Sequence, residues 1–335
     1  MAQIKSSTIY DVAKMAGVSS ATVSRVLNDP SKVAPAKQKL VQDAIDELHF
    51  VPKADAVINA RKAYKKIGVI APFFTQPSFM ERLRGVSAVL ASLHYELVIY
   101  SIDTVSDLDN YIKMLVTANR IDGLIAFCIN FTDEQLKTLS KARFPVCAVE
   151  NEIEGMDCVM VPNLKGGQKA AELLYSLGCT KPGFIGERST LAFSVTSTEE
   201  RFQGFRFFFA NQGIIIPENH VWMGEFTEQN LEKGISSFLA QDDLPDGIFC
   251  SSDVIAAKFL RLASNKGIRV PDDIKVLGFD NIDLADYIGL SSISQELDDS
   301  GRIAAELVLS RIANPTRENR HVLSLLKVIQ RGTTG

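Results

Sequence analysis

Apolar residues recur with two different periods along this chain. Up to Leu48 the spacing is helical. Ile9, Val12, Ala13 and Ala16 share one face, Val23, Val26 and Leu27 a second, and Leu40, Val41, Ala44, Ile45 and Leu48 a third. The punctuation agrees. Thr8 followed by Asp11 is an N-cap with an acidic first turn, and Gly17 can take the left-handed conformation that ends a helix. Ser19 opens the second helix, and Pro35 fits the first turn of the third. The Ala16-Gly17-Val18 connection is short, so the first two helices must cross steeply as a helix-turn-helix.

Beyond Lys66 the pattern changes. Short apolar runs at Ile67–Ala71, Leu97–Ser101, Gly123–Phe127, Val146–Val149, Gly183–Ile185, Gly247–Cys250 and Val276–Phe279 read as buried strands. Amphipathic stretches separate them: Phe79–Leu93, Leu108–Ala118, Gly166–Leu177, Arg201–Gln212, Asn230–Leu239 and Val254–Lys266. Strands alternating with helices predict parallel sheets covered on both faces. A break near Asp157–Asn163 predicts a passage from one such lobe to another.

Composition changes the picture in one respect. The 335 residues carry a net charge of −4, yet up to Lys66 there are 11 basic and 6 acidic residues. A basic head can approach phosphates that an acidic body repels. The five cysteines and four histidines show no metal spacing, so no metal or cofactor is expected. No apolar run is long enough for a membrane span, and Met1–Asp11 lacks a signal-peptide core, which predicts a cytoplasmic protein, nucleoid-associated when bound to DNA. GxGxxG after the first strand, a P-loop and GxSxG are all missing, which argues against an enzyme.

The outward face of the second helix carries short polar side chains and one arginine. Ser20, Ala21 and Thr22 would lie nearest base edges in a major groove, with the capping Ser19 also in the DNA-binding set, and Arg25 would reach a guanine. Thr8, Tyr10, Ser24 and Asn28 are placed for phosphates. In the body, ligands of parallel sheets sit outside the carboxyl ends of strands. That rule selects Phe73, Phe74, Gln76, Ser78, Phe79, Asp103, Phe127, Glu150, Asn151, Ser252, Asp253 and Asp280. The competing reading makes Asp253 a helix cap, Asp280 a turn brace, and Phe73, Phe74 and Phe127 core.

The segment TIYDVAKMAGVSSATVSRVLN, from Thr8 to Asn28, resembles the helix-turn-helix signature of LacI/GalR-type transcriptional regulators at nearly every defined position. The likeness continues at Gly68–Pro72, Leu83–Gly85, Arg201–Phe205 and Arg269–Asn281. It implies a three-helix head over 1–50, a hinge over 51–66, and a periplasmic-binding-protein-like core of two doubly wound lobes. The first lobe would span 67–160 and about 290–318, the second 161–289 and about 319–332. It adds Arg201, Phe226 and Gln295 to the effector-binding set. Function follows as an expectation: a dimeric, sequence-specific repressor on a pseudopalindromic operator, controlled by a sugar or sugar derivative between the lobes. A nucleobase or nucleoside is the alternative effector, and a solute-binding protein without regulatory role the rival function.

The hinge departs from the family pattern. Asn59 stands where a leucine would wedge the minor groove and Val57 where an arginine would stand. The expectation is a less bent operator, or Ile58 acting as the wedge. In the third helix Ala34 replaces a capping serine, and Lys37-Gln38 replaces Thr-Arg.

Overall fold

The computed structural model describes residues 8–28, 30–48, 50 and 64–335, which fall into two compact units, one up to Lys65 and one from Lys66. Val57, Ile58 and Asn59 lie outside the described residues.

The first unit contains α1 (Ile9–Met15), α2 (Ser20–Asn28) and α3 (Pro35–Glu47). Thr8 and Asp11 form a reciprocal capping box at the start of α1. Gly17, at φ 64°, turns the chain into α2. Val12, Val23 and Val41 are wholly buried and join the helices in one small core. Leu40 corrects the predicted stripe, since it is 52% exposed. It sits one position, roughly 100° of helical turn, away from Val41. Ala34 supplies no side-chain cap to α3. Gln38 instead donates to the carbonyls of Pro30 and Val33, both at 2.7 Å, tying the preceding loop to the helix.

The second unit begins with β1 (Lys66–Pro72), α4 (Pro77–Ser92), β2 (Glu96–Ile102), α5 (Val105–Ala118) and β3 (Gly123–Phe127). It continues with α6 (Asp133–Leu139), β4 (Val146–Glu150) and β5 (Asp157–Met160). After α7 (Asn163–Ser176) come β6 (Pro182–Glu187), α8 (Ser197–Asn211), β7 (Val221–Gly224), α9 (Glu228–Phe238) and β8 (Gly247–Cys250). Then follow α10 (Asp253–Asn265), β9 (Lys275–Asp280), α11 (Asp283–Tyr287), β10 (Ser291–Ser294), α12 (Leu297–Ala313), β11 (His321–Leu323) and β12 (Lys327–Ile329).

Two six-stranded sheets result, ordered β2-β1-β3-β4-β5-β11 and β7-β6-β8-β9-β10-β12. All their pairings are parallel except β10 with β12. The strands are apolar on both faces because helices cover both, and each sheet has a core on each side. The chain passes between lobes after β5, at Gln295, and between β11 and β12. The second and third passages fall later than the resemblance implied. Ser291–Ser294 still pairs in the second sheet, and His321–Leu323 pairs in the first.

In each lobe one helix pair touches backbone to backbone. A Cβ on Gly301 of α12 would lie 1.9 Å from the Arg82 carbonyl oxygen of α4, and one on Gly85 would lie 1.8 Å from that of Asp298. In the second lobe a Cβ on Gly167 of α7 would meet the Arg201 carbonyl of α8 at 1.8 Å, and one on Gly204 that of Leu164 at 1.9 Å. Among the described residues no helix is long and apolar enough to cross a membrane.

Candidate functional site

On the first unit, Val23 and Val26 pack inward and the other side of α2 turns outward. Ser19, Ala21 and Arg25 are exposed there, with Ser20, Thr22 and Ser24 half-buried. Ser19 caps the helix by accepting from the Thr22 amide at 3.2 Å, and its hydroxyl also meets that of Thr22 at 2.9 Å. Thr8 is exposed at the head of α1, and Tyr10 is 73% exposed. The Asn28 side chain lies outside the described residues.

In the second unit the strands' carboxyl ends surround a cavity of about 360 Å³. Of the candidate effector residues, Phe73, Gln76, Ser78, Phe79, Glu150, Arg201, Phe226, Ser252, Asp280 and Gln295 line it. Phe74, Asp103, Phe127, Asn151 and Asp253 do not. Phe127 is fully buried in the first-lobe core and Phe74 packs against the same cluster. Strand alternation explains this, since the next residue, Cys128, faces the cavity instead. Asp103 is exposed, and its amide donates to Asp107. Asn151 donates to the Ile129 carbonyl at 3.3 Å. Asp253 is wholly buried in the first turn of α10, accepting from Ser292 Oγ at 2.6 Å and the Ile282 amide at 2.9 Å.

The cavity floor is a buried polar network that spans both lobes. Glu150, the last residue of β4, pairs with Arg82 of α4 at 2.6 Å. Its other oxygen accepts from Asn163 Nδ2 at 2.9 Å and Ser197 Oγ at 2.8 Å, and faces Arg201 at 3.8 Å. Arg201 also donates to Asn163 Oδ1 at 2.8 Å and to the Ser251 carbonyl at 2.7 Å, and lies over the Phe279 ring at 3.8 Å. From the other side Arg82 donates to Gln295 Oε1 at 3.1 Å, and Gln295 donates to Asp280 at the end of β9. Every charged member is at least nine-tenths buried.

Charges follow from this. Burial pushes the Glu150 carboxyl up, but Arg82 and Arg201, with the Asn163 and Ser197 hydrogen bonds, outweigh it and hold the group below its ordinary value. Asp280 goes the other way. Burial raises it to about 6 although Arg201 and Arg82 oppose the shift. Burial, then the charge of Asp280, takes Asp253 up to about 8.

The backbone is unusual here too. Phe73, Cys128, Glu150 and Asp280 follow or end four different strands, and all have positive φ, at 50°, 53°, 99° and 107°. Such conformations cost on the order of 1–3 kcal/mol each and concentrate at functional sites.

Arg82, Asn163, Glu187 and Ser197 were not foreseen. Arg82 had a signal in the sequence: it sits three residues after Phe79 and four before Val86, on the helix's apolar face. A charge placed there must be buried and therefore paired.

Residues 8–53 match the model for bacterial regulatory proteins of the lacI family, and residues 171–334 match that for a periplasmic binding protein-like domain. The HTH-type transcriptional repressor PurR of Photobacterium profundum is 32% identical over 319 residues, covering 93% of this chain and 94% of the relative. The solved structure of a LacI-family regulator from Silicibacter pomeroyi has the same fold, with a TM-score of 0.82 at 24% identity, covering 98% and 99% of the two chains. A complex of the transcriptional regulator CelR with cellobiose gives a TM-score of 0.70 at 24% identity over the same shares. With a capped helix-turn-helix ahead of two lobes that share one buried floor, and a relative of this identity along almost its whole length, the chain belongs to the lacI family of bacterial regulatory proteins.

Proposed function

We propose that this DNA-binding transcriptional repressor works in the cytoplasm as a homodimer on a pseudopalindromic operator, and that a sugar or sugar derivative between its lobes sets its operator affinity. The observation that carries the effector reading is the floor network. Glu150 of one lobe and Asp280 of the other reach Arg82, Arg201 and Gln295, so a ligand touching the floor touches both lobes at once. Hydroxyls suit the Ser78, Gln76, Ser252 and Asp280 groups, while Phe73, Phe79 and Phe226 offer apolar faces to a sugar ring. Those rings would also stack on a planar base, which keeps a nucleobase or nucleoside as the second reading.

On the head, Ser19, Ser20, Ala21, Thr22 and Arg25 are proposed to face base edges, and Thr8, Tyr10, Ser24 and Asn28 phosphates. Linkage then makes the coupling reciprocal: a ligand that weakens operator binding is itself bound more weakly by the operator complex. Selection of duplexes from a random pool, repeated with sugars and nucleosides present, tests the proposal. Enrichment of an inverted repeat whose affinity changes with a sugar is the expected result. No preference for any duplex over random DNA, with or without ligand, would overturn it.

A further inference from the structure

We infer that the ligand of the interlobe cavity carries a protonated amine, received by Glu187, Glu225 and Asp280 of the second lobe. This rests on the effector reading above and narrows its chemical class. The three carboxylates come from strand ends on one side of the second sheet, Glu187 and Glu225 from adjacent strands and Asp280 from the far side of β8. Asp280 ends β9, Glu187 ends β6, and Glu225 follows β7; the sheet order sets β9, β8, β6 and β7 side by side. Register pairs Glu187 with Gly224, so Glu225 continues from the position beside it. All three line the cavity.

The charge on the walls is unequal. Glu150, Glu187, Glu199, Glu225 and Asp280 face Arg82, Arg188 and Arg201, and among the described residues no lysine lines the cavity. Two of the guanidinium groups are already engaged, Arg82 with Glu150 and Gln295, and Arg201 with Glu150, Asn163 and Ser251; Arg188 stands 4.0 Å from Glu199 with its side chain 61% exposed. Among the described residues Glu187, Glu225 and Asp280 have no ion-pair partner. Their neutral donors are Ser251 Oγ to Glu187 at 2.7 Å, Asn230 to Glu225 at 3.4 Å, and Gln295 to Asp280. Within the same described residues each carboxylate keeps a second oxygen without a donor.

A phosphate or carboxylate on the ligand would meet this wall with Arg82 and Arg201 already paired to Glu150, leaving the exposed Arg188 to answer it. An ammonium offers three N–H donors to the vacant acceptors. Burial has pushed the Asp280 carboxyl up to about 6 against the pull of Arg201 and Arg82, and an arriving cation adds to that pull. From the first lobe, Arg82 lines the same cavity with a buried Nε that has no acceptor, which suits a hydroxyl or carbonyl oxygen on the ligand. An amino sugar has both features.

Calorimetric titration should use matched sets on hexose, pentose and nucleoside skeletons, each as neutral, aminated, N-acetylated and phosphorylated members, glucose and glucosamine among them. The aminated member of one set should bind best, N-acetylation should abolish the preference, and phosphorylation should abolish binding. Glu187→Gln and Glu225→Gln keep an acceptor for Ser251 and Asn230. Each should weaken the aminated ligand about tenfold and leave its neutral partner within about twofold. Unliganded melting curves confirm that the variants fold. A neutral or phosphorylated member that binds better than its amine overturns the amine assignment while the effector reading survives. Silence across every set, with operator binding intact, removes the effector reading and this inference with it.

Discussion

Asp253 and Asp280 show how one lobe gives two carboxylates different work. Asp280 lines the cavity, whereas Asp253 lies behind it, fully enclosed by Ser292 and the Ile282 amide. Asp253 keeps its proton up to about 8 in the folded chain, against an ordinary value of 3.8. Between those values the folded state binds more protons than the unfolded state, so the stability contributed by protonated Asp253 is full below pH 3.8 and is lost as pH rises through about 8. Asp253→Asn should flatten that decline, measured as melting temperature from about pH 5 to about pH 9; an unchanged slope would place the titration elsewhere. At the head, Arg25→Ala should lose about 1–3 kcal/mol of discrimination at one base pair. Equal weakening across all sequences in a binding-site selection would make Arg25 a phosphate contact instead. The strand-end rule located Glu150, Asp280 and Ser252, because where a strand stops was visible in its apolar run. It failed for Phe127 and Asp253, because which way a side chain faces at that end depends on one residue of register.

At the scale of elements, the apolar runs that define β1, β3, β4, β8 and β9 made those strands legible. β10 was not. Its sequence, Ser291-Ser292-Ile293-Ser294, is polar on paper yet buried, because its hydroxyls are satisfied by Asp253, Thr334 and the Arg331 carbonyl. β7, β11 and β12 are three or four residues long, too short for a period to show. The glycine contacts between helices carry a different prediction. Gly301→Ala would drive a Cβ to 1.9 Å from the carbonyl of Arg82, and Gly167→Ala to 1.8 Å from that of Arg201. Neither neighbour is a flexible side-chain tip, so the helices must separate, at a cost of about 1–3 kcal/mol or more. Urea midpoints should fall in both variants. Because the displaced backbone carries Arg82 or Arg201, ligand titration should weaken as well. A fall in stability with unchanged ligand affinity would show that the helix contact does not position the arginines.

For the molecule as a whole, the floor network is a buried place where the lobes are chemically joined. Arg201→Ala would leave Glu150 buried with one guanidinium fewer, and Asn163 and the Ser251 carbonyl without their donor. Breaking a buried pair of this kind costs roughly 3–5 kcal/mol. The variant should melt lower and lose its ligand response while its folded fraction still binds operator; loss of operator binding by folded protein would give Arg201 a structural role reaching beyond the cleft.

The last strands of the two sheets decide when folding of the lobes can be completed. β11 finishes the first sheet and β12 the second, and Thr333 and Thr334 lie buried against Ser291 and Val276. Ribosomal synthesis runs from the N-terminus and lets early domains fold as they emerge. The head can do so, but neither lobe has all its strands until residues 321–334 have left the exit tunnel. Nascent chains stalled short of that point should therefore hold a finished DNA-reading head beside two protease-sensitive lobes.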